Sequence, residues 1–593
     1  MYCILLFIYC KKTLNSIKYR RNCLFNELYI NKKWVCNEVD VNKVNKIKEK
    51  YNLTDLLSSI LVGRDIAQNE EKLNVFLNPT RKDFYDPFLL PDMEIAVNRI
   101  IKAINNKEKI MIYGDYDVDG ITSICVLKKF LEARGVEVEQ VIPNRLEEGY
   151  GLNKDAVEKI AKSGYKLMIT VDCGISGIEE VAYGNSLGIE TIITDHHEPL
   201  EELPKAIAVI DAKIKTSVYP FKQLAGVGVV FKLIQAISLR MNLDEKEYLK
   251  YLDLVAIGTI SDIVPLVDEN RVIAKLGLKL VEVTKNIGLK TLINSLGYNK
   301  INSMCISFGV APRINACGRM GHAEEALKLF LTDNINDAIN LTNILNNYNQ
   351  VRQEIEKSIY NDAIKKIEEE NIENKNCIIL SGENWHHGVI GIVASKITDM
   401  YFKPSILICI DGENGKGSGR SIPGFDLHEG LCKSSKYLNK YGGHEMAVGL
   451  SLSKENFEKF KEELENYSKE CEIDKIVPII NIDKIIQDKE LTINNVKDLE
   501  KLEPYGEANK MPLFMFKNLK VDSIRSLTEG KHMKLTLKSE GNNIITAMGF
   551  NMGNRAEEFL IGDRVDIVGT LEINSFNGIE HVQFNLKDIM KSL

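Results

Sequence analysis

The chain has 593 residues, of which 44% are hydrophobic and 27% charged, a composition typical of globular protein and a length that indicates about three to five domains. Its formal net charge of −7 argues against a basic non-specific coat for nucleic acid, although a binding groove needs only local positive potential. Twelve cysteines without a CxxC pair indicate scattered thiols in a reducing compartment instead of a disulfide framework.

The chain begins with the apolar run MYCILLFIYC. This run is too short to span a bilayer, no basic segment precedes it, and no small-residue cleavage site is obvious. We interpret residues 1–33 as an extension produced by a start codon assigned too far upstream, with a membrane anchor as the alternative. The expected location is therefore the cytoplasm, without membrane association.

Residues 34–107 are predicted to be mostly helical. From Lys109 the pattern changes to four short β-rich runs, KIMIY, KLMITVD, IETIITD and AIAVID, separated by helical stretches such as NKDAVEKIAKSG. This alternation predicts an α/β fold with a parallel, doubly wound sheet. Ligands bind such sheets at the carboxyl ends of the strands, which is where the acidic residues of these runs fall.

The rest of the chain divides into three further patterns. Residues 323–372 are charged and predicted to form long connecting helices, and a second α/β unit runs from the strand CIILSG to a helix that ends near Lys469. Five short β runs follow in residues 513–593. They predict either a small Greek-key barrel of the OB type or a plain β-sandwich, and periodicity alone does not separate the two.

Three carboxylates alternate in the motif DYDVDG, directly after the strand KIMIY: Asp115, Asp117 and Asp119. Carboxylates this close repel one another, and a divalent cation is the usual remedy. A solvated acidic loop is the alternative. An EF-hand loop does not fit, because its twelfth position lacks the required Glu.

Further candidate ligands follow in VDCG, TDHH and GTISDIVPL, which contain Asp172, Asp195 with His196 and His197, and Asp262. A neutral imidazole beside carboxylates is a good ligand for Mn²⁺, Zn²⁺ or Fe²⁺. A lone carboxylate in an apolar run is costly unless it is paired or bound to a cation, although a cap or turn role remains open for Asp262. Carboxylates and imidazole from four strand ends predict two metal ions, Mn²⁺ being favoured over Mg²⁺, that support phosphoryl transfer.

These motifs occur in the order and approximate spacing of the DHH phosphoesterases. The longer strings PNR with EEGYGLN, APRINACGRM, WHHGVIG, GSGRSIPGFDLHEGL and GGHEMAVGL resemble the RecJ family within that superfamily, from about Trp34 to the C-terminus. The resemblance implies a DHH catalytic domain with an N-terminal helical part, connecting helices, a DHH-associated substrate domain and an OB-type barrel. The corresponding ranges are 34–322, 323–372, 373–470 and 471–593.

The resemblance also implies roles for the metal-site residues. Asp195 is implied to support the DHH histidine, and His197 to act at the metal site. The implied metal ligands are Asp117, Asp119, Asp172, His196 and Asp262, with Asp115 as a further ligand or a partner of the ligands.

A second set of residues is implied to bind substrate phosphate. By themselves GSGR and GGH are predicted to be Gly-rich turns, which allow close approach of phosphate, and a solvated surface arginine is the alternative for the first. By the resemblance, Arg145, Ser418 and Arg420 hold the 5′ phosphate of the strand and His444 contacts phosphate near the metals. Further phosphate contacts are implied for Arg313, Asn315 and Arg319.

Two details concern the C-terminal region. In LEPYGEANK, Ala508 and Lys510 stand where the family usually has Gly and Pro, which puts only the local loop shape in doubt. In the barrel, a basic groove with stacking aromatic residues would bind single strands, and a packed core role is equally open for each Phe. The candidates are Lys531, His532, Lys534, Phe550 and Phe576.

The resemblance implies a 5′-to-3′ exonuclease specific for single-stranded DNA, which releases 5′-mononucleotides by a two-metal mechanism in repair and recombination. A monomer is expected, with a single-strand-binding protein and a helicase as candidate partners. One rival is another DHH enzyme, such as an oligoribonuclease, a cyclic-dinucleotide phosphodiesterase or a manganese pyrophosphatase, which is generally shorter or lacks the barrel. The other rival, a non-catalytic binding module, should have lost metal ligands.

Overall fold

The computed structural model describes residues 32–592, apart from the side chain of Phe576. Most of the predicted N-terminal extension therefore lies outside the described residues. Within residues 32–592, no helix combines the length and the apolar character needed to cross a bilayer.

The segment that precedes the first sheet is helical, as predicted, apart from one short strand. The first three of its helices begin at side chains that accept hydrogen bonds from the free backbone N–H groups of the first turn: Asp40, Thr54 and Asn69. Such caps fix where a helix begins. The elements are β1 (Lys33–Cys36), α1 (Val41–Tyr51), α2 (Asp55–Gly63), α3 (Glu70–Leu77) and α4 (Met93–Asn106).

The predicted parallel sheet is confirmed, in the order β3-β2-β4-β5-β6. Strands β3 and β4 lie on opposite sides of β2, so the chain reverses direction across the sheet between β2 and β4. In such folds this reversal creates a crevice at the carboxyl ends of the two strands, where ligands bind. Strand β3 was not predicted. The elements are β2 (Ile110–Gly114), α5 (Val118–Glu132), β3 (Val138–Val141), α6 (Lys154–Lys162), β4 (Leu167–Val171), α7 (Ile178–Ser186), β5 (Glu190–Thr194) and β6 (Ala208–Ile210).

A helical layer follows, and it corrects one expectation. Asp262 was expected at a strand end, but it follows a buried helix, because a short apolar run surrounded by other helices has no periodicity that separates helix from strand. The predicted long connection is confirmed as one 36-residue helix. The elements are α8 (Gly226–Arg240), α9 (Lys246–Leu249), α10 (Leu252–Ser261), α11 (Asp268–Val281), α12 (Ile287–Leu296), α13 (Ser303–Cys305), α14 (Ala311–Arg319), α15 (Ala323–Leu331) and α16 (Ile335–Glu370).

The second α/β unit is confirmed, with sheet order β10-β11-β9-β8-β7. GSGR and GGH were predicted to be turns, but both lie in strands. A Cβ at Gly417 or Gly419 would come within 3.0 Å of apolar side chains on the neighbouring strands, so these glycines make room for core packing. The elements are β7 (Ile378–Glu383), α17 (His387–Tyr401), β8 (Ser405–Asp411), β9 (Asn414–Arg420), α18 (Leu427–Lys433), β10 (Lys440–His444), β11 (Ala447–Ser453) and α19 (Phe457–Glu470).

The five predicted C-terminal strands form a closed barrel. The ring β14-β15-β16-β18-β17 closes because β14 pairs with both β15 and β17, which decides against the β-sandwich. A short parallel pairing joins β1 to β12. The elements are β12 (Ile479–Ile482), β13 (Lys484–Ile485), α20 (Ile493–Asp498), β14 (Phe514–Leu527), β15 (His532–Lys538), β16 (Ile544–Gly549), β17 (Arg564–Phe576) and β18 (Ile579–Lys591).

The N-terminal helices share a core with the barrel. Leu56 and Ile60 of α2 belong to the same buried cluster as Phe514 and Phe584 of the barrel. Arg271 of α11, which is 1% exposed, donates to the backbone carbonyls of residues 76, 502 and 503 at 2.9, 2.9 and 3.0 Å. The helical layer, the first helices and the barrel are therefore held together by buried contacts.

The departure at Ala508 lies in the segment that leads into the barrel. Ala508 adopts a φ of 57°, a left-handed conformation that glycine adopts at less cost than alanine. Gly506 and Asn509 nevertheless pair with each other as an isolated antiparallel β-bridge. The Asn509 side chain donates to the carbonyls of Leu502 and Pro504 at 2.8 and 2.9 Å. The turn is thus held closed by hydrogen bonds on both sides of the substitution.

Candidate active site

The first part of the site is the loop between β2 and α5. Asp115 is 4% exposed and Asp119 is 1% exposed, whereas Asp117 caps α5 by accepting hydrogen bonds from the N–H groups of Asp119 and Gly120 at 2.9 and 3.1 Å. The turn is so tight that a Cβ at position 120 would lie 2.5 Å from the Asp115 carbonyl oxygen. Local backbone geometry therefore brings all three carboxylates to the end of β2.

The carboxylate of Asp119 is held by the beginning of α8. Its two oxygens accept from the backbone N–H groups of Gly226 and Val227 at 2.6 and 2.8 Å. The amino end of a helix stabilises negative charge. Asp119 is therefore fixed in position by two backbone donors from α8.

His196 is the centre of the site. Its Nε2 lies 3.1 Å from an oxygen of Asp172, 3.6 Å from one of Asp262 and 3.9 Å from one of Asp119. Although Nε2 of His196 and Oδ1 of Asp172 are 3.1 Å apart, they do not form a hydrogen bond, and these two atoms and Oδ1 of Asp115 are buried without a hydrogen-bond partner among the described residues. Buried polar atoms left unpaired are costly, so their convergence fits the donor set of bound divalent cations.

Burial and charge repulsion set the protonation of these groups. Burial and neighbouring carboxylates raise the pKa of Asp115, Asp172 and Asp262 well above the ordinary value and that of Asp119 to about 7. Burial and the charge of His197 lower the pKa of His196 to about 3. His196 is thus a neutral imidazole at neutral pH, the form that binds a metal, and a cation would reverse the carboxylate shifts.

Asp262 enters the site from the carboxyl end of α10, where it forms the C-cap. The carboxyl end of a helix carries partial negative charge, which disfavours a carboxylate there. A divalent cation would offset that repulsion. A bound metal ion would therefore account for a carboxylate at this position, whereas a capping role would not.

The possible ligand atoms fall into overlapping groups in which every atom lies within 4.8 Å of the others. Asp172 belongs to two of the groups and His196 to two, as expected of residues between two neighbouring ions. The structure brings all the predicted metal ligands together, and their role as ligands stays a prediction. The groups are Asp119 with His196 and Asp262, Asp115 with Asp117 and Asp172, and Asp172 with His196 and His197.

A layer of hydrogen bonds behind the ligands orients the two histidines. One oxygen of Asp195 accepts from the backbone N–H groups of His196 and His197 at 2.7 and 3.2 Å and lies 2.7 Å from Nδ1 of His197. The other accepts from the N–H of Ile175 at 2.9 Å. Burial opposes ionisation of Asp195, but the hydrogen bond and charge of His197 hold its pKa below the ordinary value.

Tyr150 completes this layer, and the sequence analysis did not single it out. Its hydroxyl lies 3.0 Å from Nδ1 of His197 and donates to the Asp172 carbonyl at 3.1 Å. The only signal in the sequence was its place in the string EEGYGLN. Tyr150 links the loop after β3 to the ends of β4 and β5, so it positions groups on both.

The predicted phosphate residues Arg145, Arg319, Ser418 and Arg420 gather between the two α/β units. Nη1 of Arg420 donates to Oγ of Ser418 at 3.2 Å, and burial and Arg145 lower the pKa of Arg420. Burial and the neighbouring arginines lower the pKa of Arg319 to about 10. Mutually repelling guanidinium groups that are partly buried create a site for an anion such as phosphate.

The other predicted phosphate residues lie elsewhere. Arg313 donates to the Asn346 side chain on α16 at 2.6 Å and to the Gly309 carbonyl at 2.8 Å. The Asn315 side chain accepts from the N–H of Val118 at 3.3 Å, so it supports the DYDVDG loop. His444 is exposed at the end of β10.

Three family models match the chain. They are the DHH family N-terminal domain over residues 109–259, the DHHA1 domain over residues 374–470 and the RecJ OB domain over residues 482–588.

Complete proteins resemble the chain along most of its length. The single-stranded-DNA-specific exonuclease RecJ of Bacillus subtilis (strain 168) is 37% identical over 562 residues, which are 94% of this chain and 70% of that protein. The crystal structure of RecJ in complex with Mn²⁺ from Thermus thermophilus has a TM-score of 0.82 at 28% identity and covers 95% of this chain and 80% of that one. The Mg²⁺ complex from the same organism has a TM-score of 0.77 at 26% identity, with coverages of 95% and 79%.

The parallel sheet, its convergent carboxylates and the DHH match together define a metal-dependent phosphoesterase of the DHH class. The 37% identity to the RecJ of Bacillus subtilis, over 70% of that protein, also assigns the chain to a family within this class. The chain belongs to the RecJ family, which confirms the resemblance found in the sequence.

The Asp195 network gives a first prediction. Asp195→Asn keeps the shape but removes the charge that orients His196 and His197, so the Mn²⁺ concentration for half-maximal activity should rise by about 10–100-fold. Titration of nuclease activity with Mn²⁺ measures this, and activity should recover at saturating Mn²⁺. Asp155→Asn, on the exposed first turn of α6, is the matched control. An unchanged Mn²⁺ requirement in Asp195→Asn would rule out the orienting role.

Proposed function

We propose that this protein is a 5′-to-3′ exonuclease specific for single-stranded DNA that releases 5′-mononucleotides. The observation that carries the proposal is the proximity of the ligand cluster around His196 to the arginine pocket of Arg145, Arg319, Ser418 and Arg420: the Arg145 guanidinium lies 4.9 Å from the ring centroid of Tyr116, between Asp115 and Asp117. In this proposal the first cuts a phosphodiester while the second holds the 5′ phosphate of the same strand.

The ligand residues hold the divalent cations of the reaction. We propose two Mn²⁺ ions, with Mg²⁺ as the alternative, held by Asp115, Asp117, Asp119, Asp172, His196 and Asp262. When bound, two such ions activate water and stabilise the leaving oxygen of a phosphoryl transfer.

The protein's own side chains orient the reaction around these ions. Asp195 holds His197 and the backbone of His196 in place, and Tyr150 connects His197 to the end of β4. His197 thus acts as a positioning residue beside the ligands. Asn315 supports the DYDVDG loop through Val118.

Polarity follows from the arginine pocket. Arg145, Arg319 and Arg420 favour the dianionic phosphate of a 5′ end over the monoanionic phosphodiester within a strand. With this pocket occupied, the next phosphate along the strand is proposed to lie at the ligand cluster. His444 and Arg313 are proposed as additional contacts to the strand outside this pocket.

The barrel is proposed to bind the strand away from the cut. Phe550 is 55% exposed, its ring centroid lies 5.4 Å from that of His532, and Lys531 is exposed beside them. An exposed aromatic ring flanked by basic groups supports base stacking, which contributes roughly 1–3 kcal/mol per base. Lys534 is a partly exposed candidate, and the side chain of Phe576 lies outside the described part of the chain.

Several wider expectations stay proposals. They are a monomeric state, a cytoplasmic role in repair and recombination, a single-strand-binding protein and a helicase as partners, and the domain division at residues 34–322, 323–372, 373–470 and 471–593. Because α2 shares a buried core with the barrel, residues of the first and the last of these ranges pack together.

The test is an assay of the purified protein with Mn²⁺ on end-labelled DNA. Single strands with a 5′ phosphate should be shortened from the 5′ end to mononucleotides, whereas blunt duplexes of the same sequence should persist. Cleavage of short RNA or a cyclic dinucleotide, with none of long single-stranded DNA, would favour a different DHH enzyme.

A further inference from the structure

A cavity of about 660 Å³ borders the arginine pocket on the side that faces the second α/β unit. Its volume lies in the range of small-molecule binding sites. Its lining includes Leu146, which follows Arg145 in the chain, and the side chains of Asn384, His387, Asn414, Lys416 and Asn439. The residues of the arginine pocket are absent from this lining, so the cavity is additional space beside that pocket.

Strand β9 connects the two sites. Lys416, Ser418 and Arg420 alternate along β9, so their side chains lie on one face of the sheet, successive members about 7 Å apart. On the other face the intervening glycines contact apolar neighbours. The strand therefore presents a row of polar side chains that begins at the 5′-phosphate pocket and ends in the cavity.

The polar groups at the cavity end of this row suit an anion. Nζ of Lys416 lies 3.5 Å from the Leu146 carbonyl, and the described residues place no carboxylate within ion-pair distance of it. Nε2 of His387 is buried without a hydrogen-bond partner among the same residues. Asp411 is the one acidic residue in the lining, and the long contact with the Leu146 carbonyl is the one hydrogen bond of Lys416 among the described residues that an anion would have to replace.

We propose that this cavity binds the β- and γ-phosphates of a single strand whose 5′ end carries a triphosphate. The inference rests on the proposed function, because the α-phosphate occupies the pocket of Arg145, Ser418 and Arg420. Two phosphoanhydride bridges separate the α-phosphate from the γ-phosphate. The distance they span is comparable with the spacing between successive side chains on one face of β9. Lys416 and His387 are then placed to donate hydrogen bonds to the terminal phosphates.

The proposal fixes the first product. Water adds to the phosphorus that joins the first and second nucleotides, the bond from that phosphorus to the 3′ oxygen of the first nucleotide breaks, and a proton passes to that oxygen. The first nucleotide leaves as a nucleoside triphosphate. The shortened strand keeps a 5′ monophosphate and is degraded further to mononucleotides.

The experiment compares oligodeoxynucleotides of one sequence with a 5′ triphosphate, a 5′ monophosphate or a 5′ hydroxyl, each labelled at the 3′ end. The wild-type protein should cleave the triphosphate strand with a kcat/KM within about threefold of the monophosphate strand and release a nucleoside triphosphate first. Lys416→Ala should lower kcat/KM about tenfold on the triphosphate strand, the effect of one charge-assisted hydrogen bond, and less than twofold on the monophosphate strand.

Lys459→Ala is the matched control, because Lys459 is exposed on α19. This change should leave all three strands unaffected. The inference is overturned if the wild-type protein cleaves the triphosphate strand no better than the hydroxyl strand, or if Lys416→Ala affects the triphosphate and monophosphate strands equally.

A binding measurement separates this inference from the proposed function. With the Asp172→Asn protein, the affinity for the triphosphate strand should exceed that for the hydroxyl strand and fall about tenfold when Lys416 is also replaced. Failure of the wild-type protein to cleave the monophosphate strand would refute the proposed function, and binding would still decide the inference. Equal affinities for the triphosphate and hydroxyl strands would refute the inference itself.

Discussion

Asp172→Asn is expected to reduce hydrolysis of single-stranded DNA by at least about 10³-fold, a loss at the upper end of what removing one preorganised electrostatic group costs. Asp172 belongs to two of the ligand groups and lies 3.1 Å from Nε2 of His196, so its charge serves both proposed ion positions. Steady-state cleavage of a 3′-labelled strand with saturating Mn²⁺ measures the effect.

Asparagine is the informative replacement at this position. Asp172 has a φ of 58°, which asparagine adopts at less cost than alanine. Gly226 also approaches so closely that a Cβ there would lie 2.5 Å from the Asp172 carboxylate. An asparagine fills the same space, so loss of activity reports the missing charge. Asp172→Ala should also abolish hydrolysis, with an added cost in stability.

Asp211→Asn is the matched control. Asp211 is buried directly after β6, the edge strand of the same sheet, and accepts a hydrogen bond from the N–H of Lys213 at 2.7 Å. Because it belongs to none of the ligand groups, its replacement should change activity less than about threefold.

Single-strand binding, followed by fluorescence anisotropy, should persist in the Asp172 variants, since the barrel and the arginine pocket are intact. Near wild-type hydrolysis by Asp172→Asn would refute the metal assignment.

Arg420→Ala is expected to lower kcat/KM on 5′-phosphorylated single strands by about 10–100-fold, which corresponds to one or more charge-assisted hydrogen bonds. The guanidinium is mostly buried beside Ser418, and Arg145 is close enough to lower its pKa. A strand with a 5′ hydroxyl offers this pocket no phosphate. Its cleavage should therefore change less than threefold, and the preference for a 5′ phosphate should largely disappear.

Arg420→Lys tests the geometry of the same contact. Lysine keeps the charge but loses the planar pair of donors, so this variant should retain part of the preference. Arg240→Ala is the matched control, because Arg240 forms an exposed ion pair with Glu94 on the outside of the first sheet domain. An unchanged preference for 5′-phosphorylated strands in Arg420→Ala would exclude the pocket as the source of polarity.

The candidate metal site was predictable to a large extent because its chemistry is local in sequence. Asp115, Asp117 and Asp119 follow a buried apolar strand directly, and the carboxyl ends of parallel strands necessarily meet at one edge of the sheet. Tyr150 was not predicted, because it reaches the site only through the folding of the loop after β3. A tyrosine in a polar loop has no pattern that distinguishes it from a solvated one.

The strand at GSGR was mispredicted for a different reason. Alternating glycines are typical of turns, and the need for Gly417 and Gly419 arises from side chains of Ile408, Leu450 and Val448 on neighbouring strands. Asp262 was assigned to a strand end for a similar reason, since the run before it is buried on all sides as a helix. In both cases the deciding contacts come from segments distant in the sequence.

The sequence by itself determined the α/β class, the order of the units and the identity of the candidate metal ligands, because hydrophobic periodicity and strand-end chemistry are encoded by neighbouring residues. Only the tertiary structure decided that the C-terminal strands close into a barrel, that the first helices share its core, and that β9 leads from the arginine pocket into a cavity. Those features depend on contacts between residues far apart in the chain. Their free energy comes from burial and hydrogen bonds that exist only once the units have assembled.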